Sequence, residues 1–178
     1  MRFCNAHTPL QPCIPYARGD RMGIRVKTLI VALAVPLGVG ALGALAGRSG
    51  MATLAALEKP PLTPPGWVFP VVWTALYIAM GIASYLIATC GAPRESRRMA
   101  LGAYGAALVL SALWPALFFA LGLHLAAFID LILLFIMLRH ALLQFYMLRR
   151  SAAHWLFPTL LWTTFAGYLN LGIWLLNR

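Results

Sequence analysis

The sequence predicts an all-α integral membrane protein that folds as a bundle of five transmembrane helices. The first observation is composition: 62% of the 178 residues are hydrophobic and only 10% are charged, whereas soluble domains carry about 45–50% apolar and about 25% charged residues. The second is a set of five long apolar runs, each near the length of about 20 residues that crosses a bilayer. The third is that no segment alternates polar and apolar residues as a transmembrane β-strand does.

The boundaries of the five runs follow from charges and turn residues. The first run carries no charge, and the proline-rich stretch KPPLTPP precedes the second. Gly122 and Leu123 make a tight turn between the third and the fourth. We expect one membrane domain over residues 28–178, preceded by a basic tail without fixed structure over residues 1–27. Its helices are expected at about residues 28–47, 66–89, 99–121, 124–147 and 152–176.

The positive charge of the chain lies between the apolar runs. The formal net charge is +10, but no helix carries the basic face expected of a nucleic-acid-binding domain, so we expect no nucleic-acid partner. Eleven of the fourteen Lys and Arg residues lie in the N-terminal tail, in the loop after the second run, or at the end of the fourth run and its loop. Because such residues favour the cytoplasmic side, the N-terminus is predicted inside. The loop over residues 48–65 and the C-terminus are predicted outside.

Residues suited to conventional catalysis are sparse. Asp130 is the only carboxylate within a run, and an intramembrane carboxylate is costly unless it is paired or hydrated. Both a functional role and a structural hydrogen bond are open for it. No second carboxylate or histidine accompanies Asp130 and His124, and the three cysteines form no CxxC motif. We therefore predict no metal site, no required cofactor and no acid–base or nucleophilic constellation.

Two helices carry aromatic faces at spacings of three and four residues. The face on the second run consists of Phe69, Trp73, Tyr77, Met80 and Ser84. The face on the fifth consists of Trp162, Phe165, Ala166, Leu169 and Asn170. Ser111 and Trp114 on the third run are also expected inside the bundle. Such walls suit a flat apolar ligand, although helix packing and interfacial anchoring also account for aromatic residues in membrane proteins.

Small residues on the third run predict a homodimer through that helix. They form two patterns, Gly102-x-x-x-Ala106 and Ala103-x-x-x-Ala107. Small residues four positions apart allow two helices to approach closely.

Four motifs resemble those of the tryptophan-rich sensory protein family, also called TspO/MBR. They are KPPLTPPGWVFPVVWTALYIAMG, ALWPALFF, AAFIDLILL and WLFPTLLWTTFAGYLNLGIWLLN. The resemblance extends from about residue 28 to the C-terminus. It implies a five-helix membrane receptor, often dimeric, that binds porphyrins such as protoporphyrin IX and heme as ligands, and in some members sterols or other lipids. A tryptophan that the family often has in the first loop is Leu62 here.

The resemblance also implies a set of site residues. The positions that match the family's pocket are Trp73, Tyr77, Trp114, Trp162, Phe165 and Ala166, to which we add the inward polar residues Ser111 and Asn170. Some members degrade protoporphyrin in light and oxygen, and the tryptophan pair implicated matches Trp73 and Trp162. These two residues would be catalytic only if that reaction occurs. A receptor, a photo-oxidative enzyme and a porphyrin or lipid transporter remain alternatives at this point.

Overall fold

A computed structural model describes residues 24–50 and 56–178, and within these ranges the chain is helical without strands. All five helices are long and apolar enough to cross a membrane, which confirms the predicted fold class. The helices are α1 (Val26–Gly47), α2 (Val68–Ala88), α3 (Arg94–Pro115), α4 (His124–Leu148) and α5 (Arg150–Leu176). α3 continues into a π-helical turn over Ala116–Ala120, and a 3₁₀ turn over Arg48–Gly50 follows α1.

The largest difference from the expected boundaries is at the start of α3. The helix begins at Arg94, five residues before the expected position 99, because its first turn is polar and lies outside the apolar run. Pro93 precedes this turn and Glu95 lies within it, where a negative charge favours the helix N-terminus. α1 begins at Val26, inside the expected tail, while residues 1–23 of that tail lie outside the described residues.

The helices form a closed ring rather than a row. α1 packs against α2 and α3, α2 packs against α5, α5 against α4, and α4 against α3. The centre of the ring is apolar and includes Met80, Leu134, Leu138, Phe145 and Leu156, each at most 1% exposed.

The two ends of the bundle differ, and we name them by their residues. The basic end contains the start of α1, the link between α2 and α3, and the Arg149 link; there the Arg25 amide donates to the Tyr85 hydroxyl at 3.3 Å. The cavity end contains residues 48–50 and 56–67, the turn at Gly122 and the end of α5. The side of the membrane that each end faces remains a prediction from the charge count.

Two breaks in the helices shape the cavity end. After Pro115 the π-helical turn is closed by the Leu121 amide, which donates to the Ala116 carbonyl at 3.0 Å. Gly122 then takes a φ of +63°, a left-handed conformation that glycine adopts at little cost. The chain therefore reverses within three residues and places the Phe118 ring 4.9 Å from the His124 ring at the start of α4, while Phe119 lies beside Gly47 at the end of α1.

Candidate ligand-binding site

The cavity end is covered by the roof loop, which we define as residues 56–67. Asn177 at the end of α5 holds it through two hydrogen bonds to Glu58: the Glu58 amide donates to Asn177 Oδ1, and Asn177 Nδ2 donates to the Glu58 carbonyl, both at 2.9 Å. The Tyr168 hydroxyl donates to the Pro61 carbonyl at 3.0 Å. Pro60 is buried and packs on Gly172, where any larger side chain would collide with the proline ring. The roof loop is thus fixed to α5 at three levels.

Two adjoining cavities lie beneath the roof loop. The α5-side cavity has a volume of about 470 Å³ and is bounded by the roof loop, α3 and α5. The α1-side cavity has a volume of about 260 Å³ and is bounded by α1, α2 and α3. Phe69, Trp114 and Phe119 line both cavities. Together the cavities fall within the range of about 300–1,000 Å³ that is usual for small-molecule sites.

An aromatic cluster occupies the boundary between the cavities. Its centre is Trp114, which is 5% exposed. The ring centroids of Trp114 lie 6.1 Å from Trp73, 5.3 Å from Phe118 and 5.6 Å from Phe119. Trp73 in turn lies 5.7 Å from Tyr77. Centroid separations of 4.5–7 Å are typical of favourable aromatic pairs, so the cluster offers a wall of packed rings.

Polar groups fix this wall in place. The Trp114 indole donates to Asn170 Oδ1 at 3.0 Å, and Asn170 Nδ2 donates to the His124 carbonyl at 2.7 Å. Asn170 is 1% exposed and therefore ties α3, α4 and α5 together at one point. On the other side, the Tyr77 hydroxyl donates to Ser111 Oγ at a long 3.4 Å. The network holds the Trp114 ring in one orientation relative to both cavities.

The residues chosen from the sequence divide between these two cavities. Trp73, Tyr77, Ser111 and Trp114 line the α1-side cavity. Ala166 and Asn170 line the α5-side cavity, as Trp114 also does. Met80 and Ser84, on the same face of α2, lie farther toward the basic end and line neither cavity.

Three further residues chosen from the sequence lie outside both cavities. Trp162 packs against Phe69 and Phe165 at centroid distances of 6.1 and 5.4 Å, so it supports the cavity wall from behind. Its indole nitrogen is buried and has no hydrogen-bond partner among the described residues.

Asp130 is 4% exposed, and neither of its carboxylate oxygens has a partner within the described chain. The functional role and the structural hydrogen bond that the sequence left open for Asp130 both stay predictions.

Several lining residues were not chosen from the sequence. Gly40 lines the α1-side cavity, and the ring of Tyr77 occupies the space that a Cβ at Gly40 would need. Phe118 and Phe119 belong to the motif ALWPALFF but were not predicted to line the site. The roof loop contributes Lys59 and Thr63, and the 3₁₀ turn contributes Arg48. The spacing of small residues on α1 is the signal that could have revealed Gly40.

The charges at the site are positive. Lys59 lines the α5-side cavity and Arg48 lines the α1-side cavity, and among the described residues no carboxylate lines either one. Among residues 24–50 and 56–178, no group of three or more His, Cys, Asp or Glu side chains is arranged to hold a metal ion. The arrangement can therefore receive a flat, apolar, anionic molecule, with its acidic groups near the two basic side chains.

The comparisons with known proteins agree with the fold and the motifs. Residues 32–175 match the TspO/MBR family. The chain is 32% identical over 157 residues to the tryptophan-rich protein TspO of Chlorobaculum tepidum, a match that covers 88% of this chain and 99% of that one. It is 37% identical over 141 residues to the translocator protein of Bos taurus, covering 78% and 83% of the two chains. The chain is thus an integral, multi-pass membrane protein of the TspO/MBR family, as the four motifs predicted.

Proposed function

We propose that this protein is a membrane receptor that binds a tetrapyrrole in the two adjoining cavities at the cavity end. Membership of the TspO/MBR family supports a membrane sensor or receptor role. The observation that carries the choice of ligand is the wall formed by Phe69, Trp114 and Phe119, which lines both cavities. A tetrapyrrole is a wide, flat aromatic system, and packed aromatic side chains bind such surfaces by stacking and edge contacts.

The charges around the wall support the same ligand. Protoporphyrin IX and heme each carry two carboxylates on one edge of an otherwise apolar ring. Arg48 and Lys59 provide one positive charge to each cavity, which complements such an edge. An uncharged sterol has no carboxylate to pair with these two side chains, so their charge favours an anionic tetrapyrrole.

A titration with a matched pair of variants tests the proposal. Protoporphyrin IX is added to the purified full chain in detergent in the dark, and quenching of tryptophan fluorescence is followed. Trp73→Leu removes a ring that lines the α1-side cavity. Trp155→Leu removes an exposed ring near the start of α5, at the opposite end. Each variant retains five of the six tryptophans, so their signals are comparable.

We expect saturable quenching in the wild-type protein and in Trp155→Leu. In Trp73→Leu we expect the affinity to fall about tenfold or more, because buried aromatic anchors contribute about 2 kcal/mol or more to binding. Equal affinity in the two variants would contradict the proposed site. Quenching that does not saturate in the wild-type protein would contradict tetrapyrrole binding itself.

Photo-oxidative breakdown of the bound porphyrin is the second candidate function. The observation that favours it is the contact of three oxidisable rings, Trp73, Tyr77 and Trp114, beside the α1-side cavity. Illumination of the same samples in the presence of oxygen separates an enzyme from a receptor. Faster loss of the porphyrin absorption band with wild-type protein than with Trp73→Leu, at equal occupancy, would favour the enzyme. Net movement of porphyrin into sealed vesicles would instead favour transport.

We also propose that the receptor is a homodimer through α3. Gly102 and Ala106 are exposed on the outer face of this helix, one turn apart, and no atom lies within 4 Å of a Cβ built at Gly102. The second pair in the sequence pattern does not serve this purpose, because Ala107 is fully buried in the bundle. Gly102→Leu is expected to convert a dimer to a monomer in native mass spectrometry, and an unchanged mass would contradict this interface.

A further inference from the structure

A groove separate from both cavities lies at the basic end of the bundle, between α1, α2 and α3. Its volume is about 540 Å³, and it opens on the outside of the bundle, where Val31 and Val35 of α1 are exposed. The α1 side is formed by residues from Lys27 to Pro36, with Ala88 of α2 and Leu101 and Leu108 of α3 opposite. None of its lining residues lines either cavity of the proposed receptor site.

The dimensions of the groove match one leaflet of a bilayer. From Lys27 to Pro36 the helix rises about 14 Å at 1.5 Å per residue, and a hydrocarbon core is about 30 Å thick. The groove therefore extends from the edge of the bundle to about the membrane midplane. Its walls are mainly aliphatic, which suits an acyl chain better than a flat aromatic ring.

Basic groups lie at the outer end of the groove. Lys27 lines it directly, and Arg97 reaches its rim by donating from Nη1 to the carbonyl of Ala88 at 2.7 Å. The Nε atom of Arg97 is buried and has no hydrogen-bond partner among the described residues. No carboxylate lines the groove, and the one acidic residue at this end of the described chain, Glu95, is exposed on the first turn of α3. The rim therefore carries positive charge, and the unpartnered Nε of Arg97 is buried beneath it.

A polar group on the floor also lacks a full partner. Tyr104 is 5% exposed, and beyond a weak interaction with Ser84 no described residue forms a hydrogen bond with its hydroxyl. Side chains on a helix tilt toward its N-terminus, and the N-terminus of α3 lies at the basic end. Because the Tyr104 hydroxyl is buried, the ring must turn toward the groove before polar atoms just below a charged headgroup can supply the missing hydrogen bond.

We propose that this groove binds one anionic phospholipid from the adjoining leaflet. Its headgroup lies against Lys27 and Arg97, its ester region meets Tyr104, and one acyl chain follows α1. Basic pockets between transmembrane helices recognise anionic headgroups in this way. The segment over residues 1–23 is a poor alternative occupant because its three arginines outnumber its single aspartate. A second copy of the chain would bring like charges to the same rim.

Native mass spectrometry of the full chain with added lipid tests the proposal. We expect one phosphatidylglycerol molecule to be retained per chain, with a preference of about tenfold over phosphatidylcholine of the same acyl chains, since each basic side chain near the surface contributes to the attraction. The double variant K27Q/R97Q is expected to lose this preference. The matched control R94Q/R98Q removes two exposed charges at the same end and is expected to keep it. An equal loss in both double variants would overturn the site, because the general surface charge would then be responsible.

A second pair of variants tests the acyl-chain path without changing charge. Gly105 lines the groove, and a Cβ there meets open space, so Gly105→Leu is expected to fold and to reduce retention of both lipids. Gly38→Leu adds the same bulk at an exposed position of α1 that does not line the groove, and is expected to change nothing. Unchanged lipid retention in Gly105→Leu would contradict the acyl-chain path, whatever happens to the dimer fraction, because Gly105 also adjoins the proposed dimer face at Gly102 and Ala106. If lipid binds only after residues 1–21 are deleted, the N-terminal segment occupies it, and the proposal is equally wrong.

Discussion

The two ends of the bundle differ in the connections that their polar side chains make. At the cavity end, Asn170 and Asn177 use both their donor and their acceptor atoms, and through them α5 is joined to α3, α4 and the roof loop. The buried Trp162 indole nitrogen near the cavities has no partner among the described residues. At the basic end, Arg97 Nε also has none, and Tyr104 has only a weak one. A buried polar group without a partner is costly. The comparison supports a cavity end that is joined by a polar network and a basic end at which the proposed lipid would supply the missing partners.

The largest expected effect comes from breaking the network at the cavity end. Asn170→Leu leaves the Trp114 indole and the His124 carbonyl without their partners, and each unpaired buried group costs about 1–3 kcal/mol. We expect the unfolding free energy in detergent, measured by circular dichroism with denaturant, to fall by about 3 kcal/mol. Thr164→Val is the control on the same helix, because the exposed Thr164 hydroxyl bonds only to the Leu160 carbonyl one turn away. A similar loss in both variants would mean that Asn170 does not join the helices energetically.

The next effect tests whether the α1-side cavity has the shape described here. The ring of Tyr77 fills the space beside Gly40, so Gly40→Ala forces the ring to move and strains its contacts with Trp73 and Ser111. Overpacking of a buried contact costs about 1–3 kcal/mol, and we expect about 2 kcal/mol together with weaker protoporphyrin quenching. Gly38→Ala, two residues away and in open space, should be close to neutral. If thermal unfolding and quenching cannot distinguish the two alanine variants, Tyr77 is not held against Gly40.

A smaller effect concerns the closure of the site by the roof loop. Asn177→Ala removes both hydrogen bonds to the backbone of Glu58, while Tyr168→Phe removes only the one to Pro61. A pair of exposed hydrogen bonds contributes a net stabilisation of about 1 kcal/mol. Because this stabilisation is lost in Asn177→Ala, we expect hydrogen exchange at the Glu58 amide to become about fivefold faster. We expect little change at this amide in Tyr168→Phe. Unchanged exchange in Asn177→Ala would show that packing of Pro60 on Gly172 alone holds the loop.

Much of this architecture could be predicted from the sequence because membrane spans have a physical signature of their own. A helix that crosses hydrocarbon must be long and apolar, so the five runs were visible without any structure. The first turn of α3 was missed since its arginines lower the mean hydropathy below that of a membrane span.

The site could be predicted only in part from the sequence. Helical periodicity indicates which residues share a face of a helix, but not which of them line a cavity. Trp73 and Trp162 lie on comparable faces of α2 and α5, yet only Trp73 lines a cavity, while Trp162 packs behind Phe69. Periodicity also cannot show which helices are neighbours in the ring. The contact between Gly40 of α1 and Tyr77 of α2 was therefore not predicted. The anchors of the roof loop are contacts between residues more than 100 positions apart, which no local pattern encodes.

The smallest expected effect isolates the backbone of the roof loop. Leu62 has a φ of 67°, a left-handed conformation that is unfavourable for leucine but tolerated by asparagine, and its side chain is 81% exposed. Leu62→Asn should therefore raise the unfolding free energy by about 0.5 kcal/mol relative to the matched change Leu121→Asn. Leu121 is also exposed, at 62%, but its φ of −97° is ordinary, so that variant reports the same apolar-to-polar change without relief of the backbone. Equal unfolding free energies for the two variants would show that the turn at Leu62 stores no strain, and that the roof loop depends on its anchors to α5 alone.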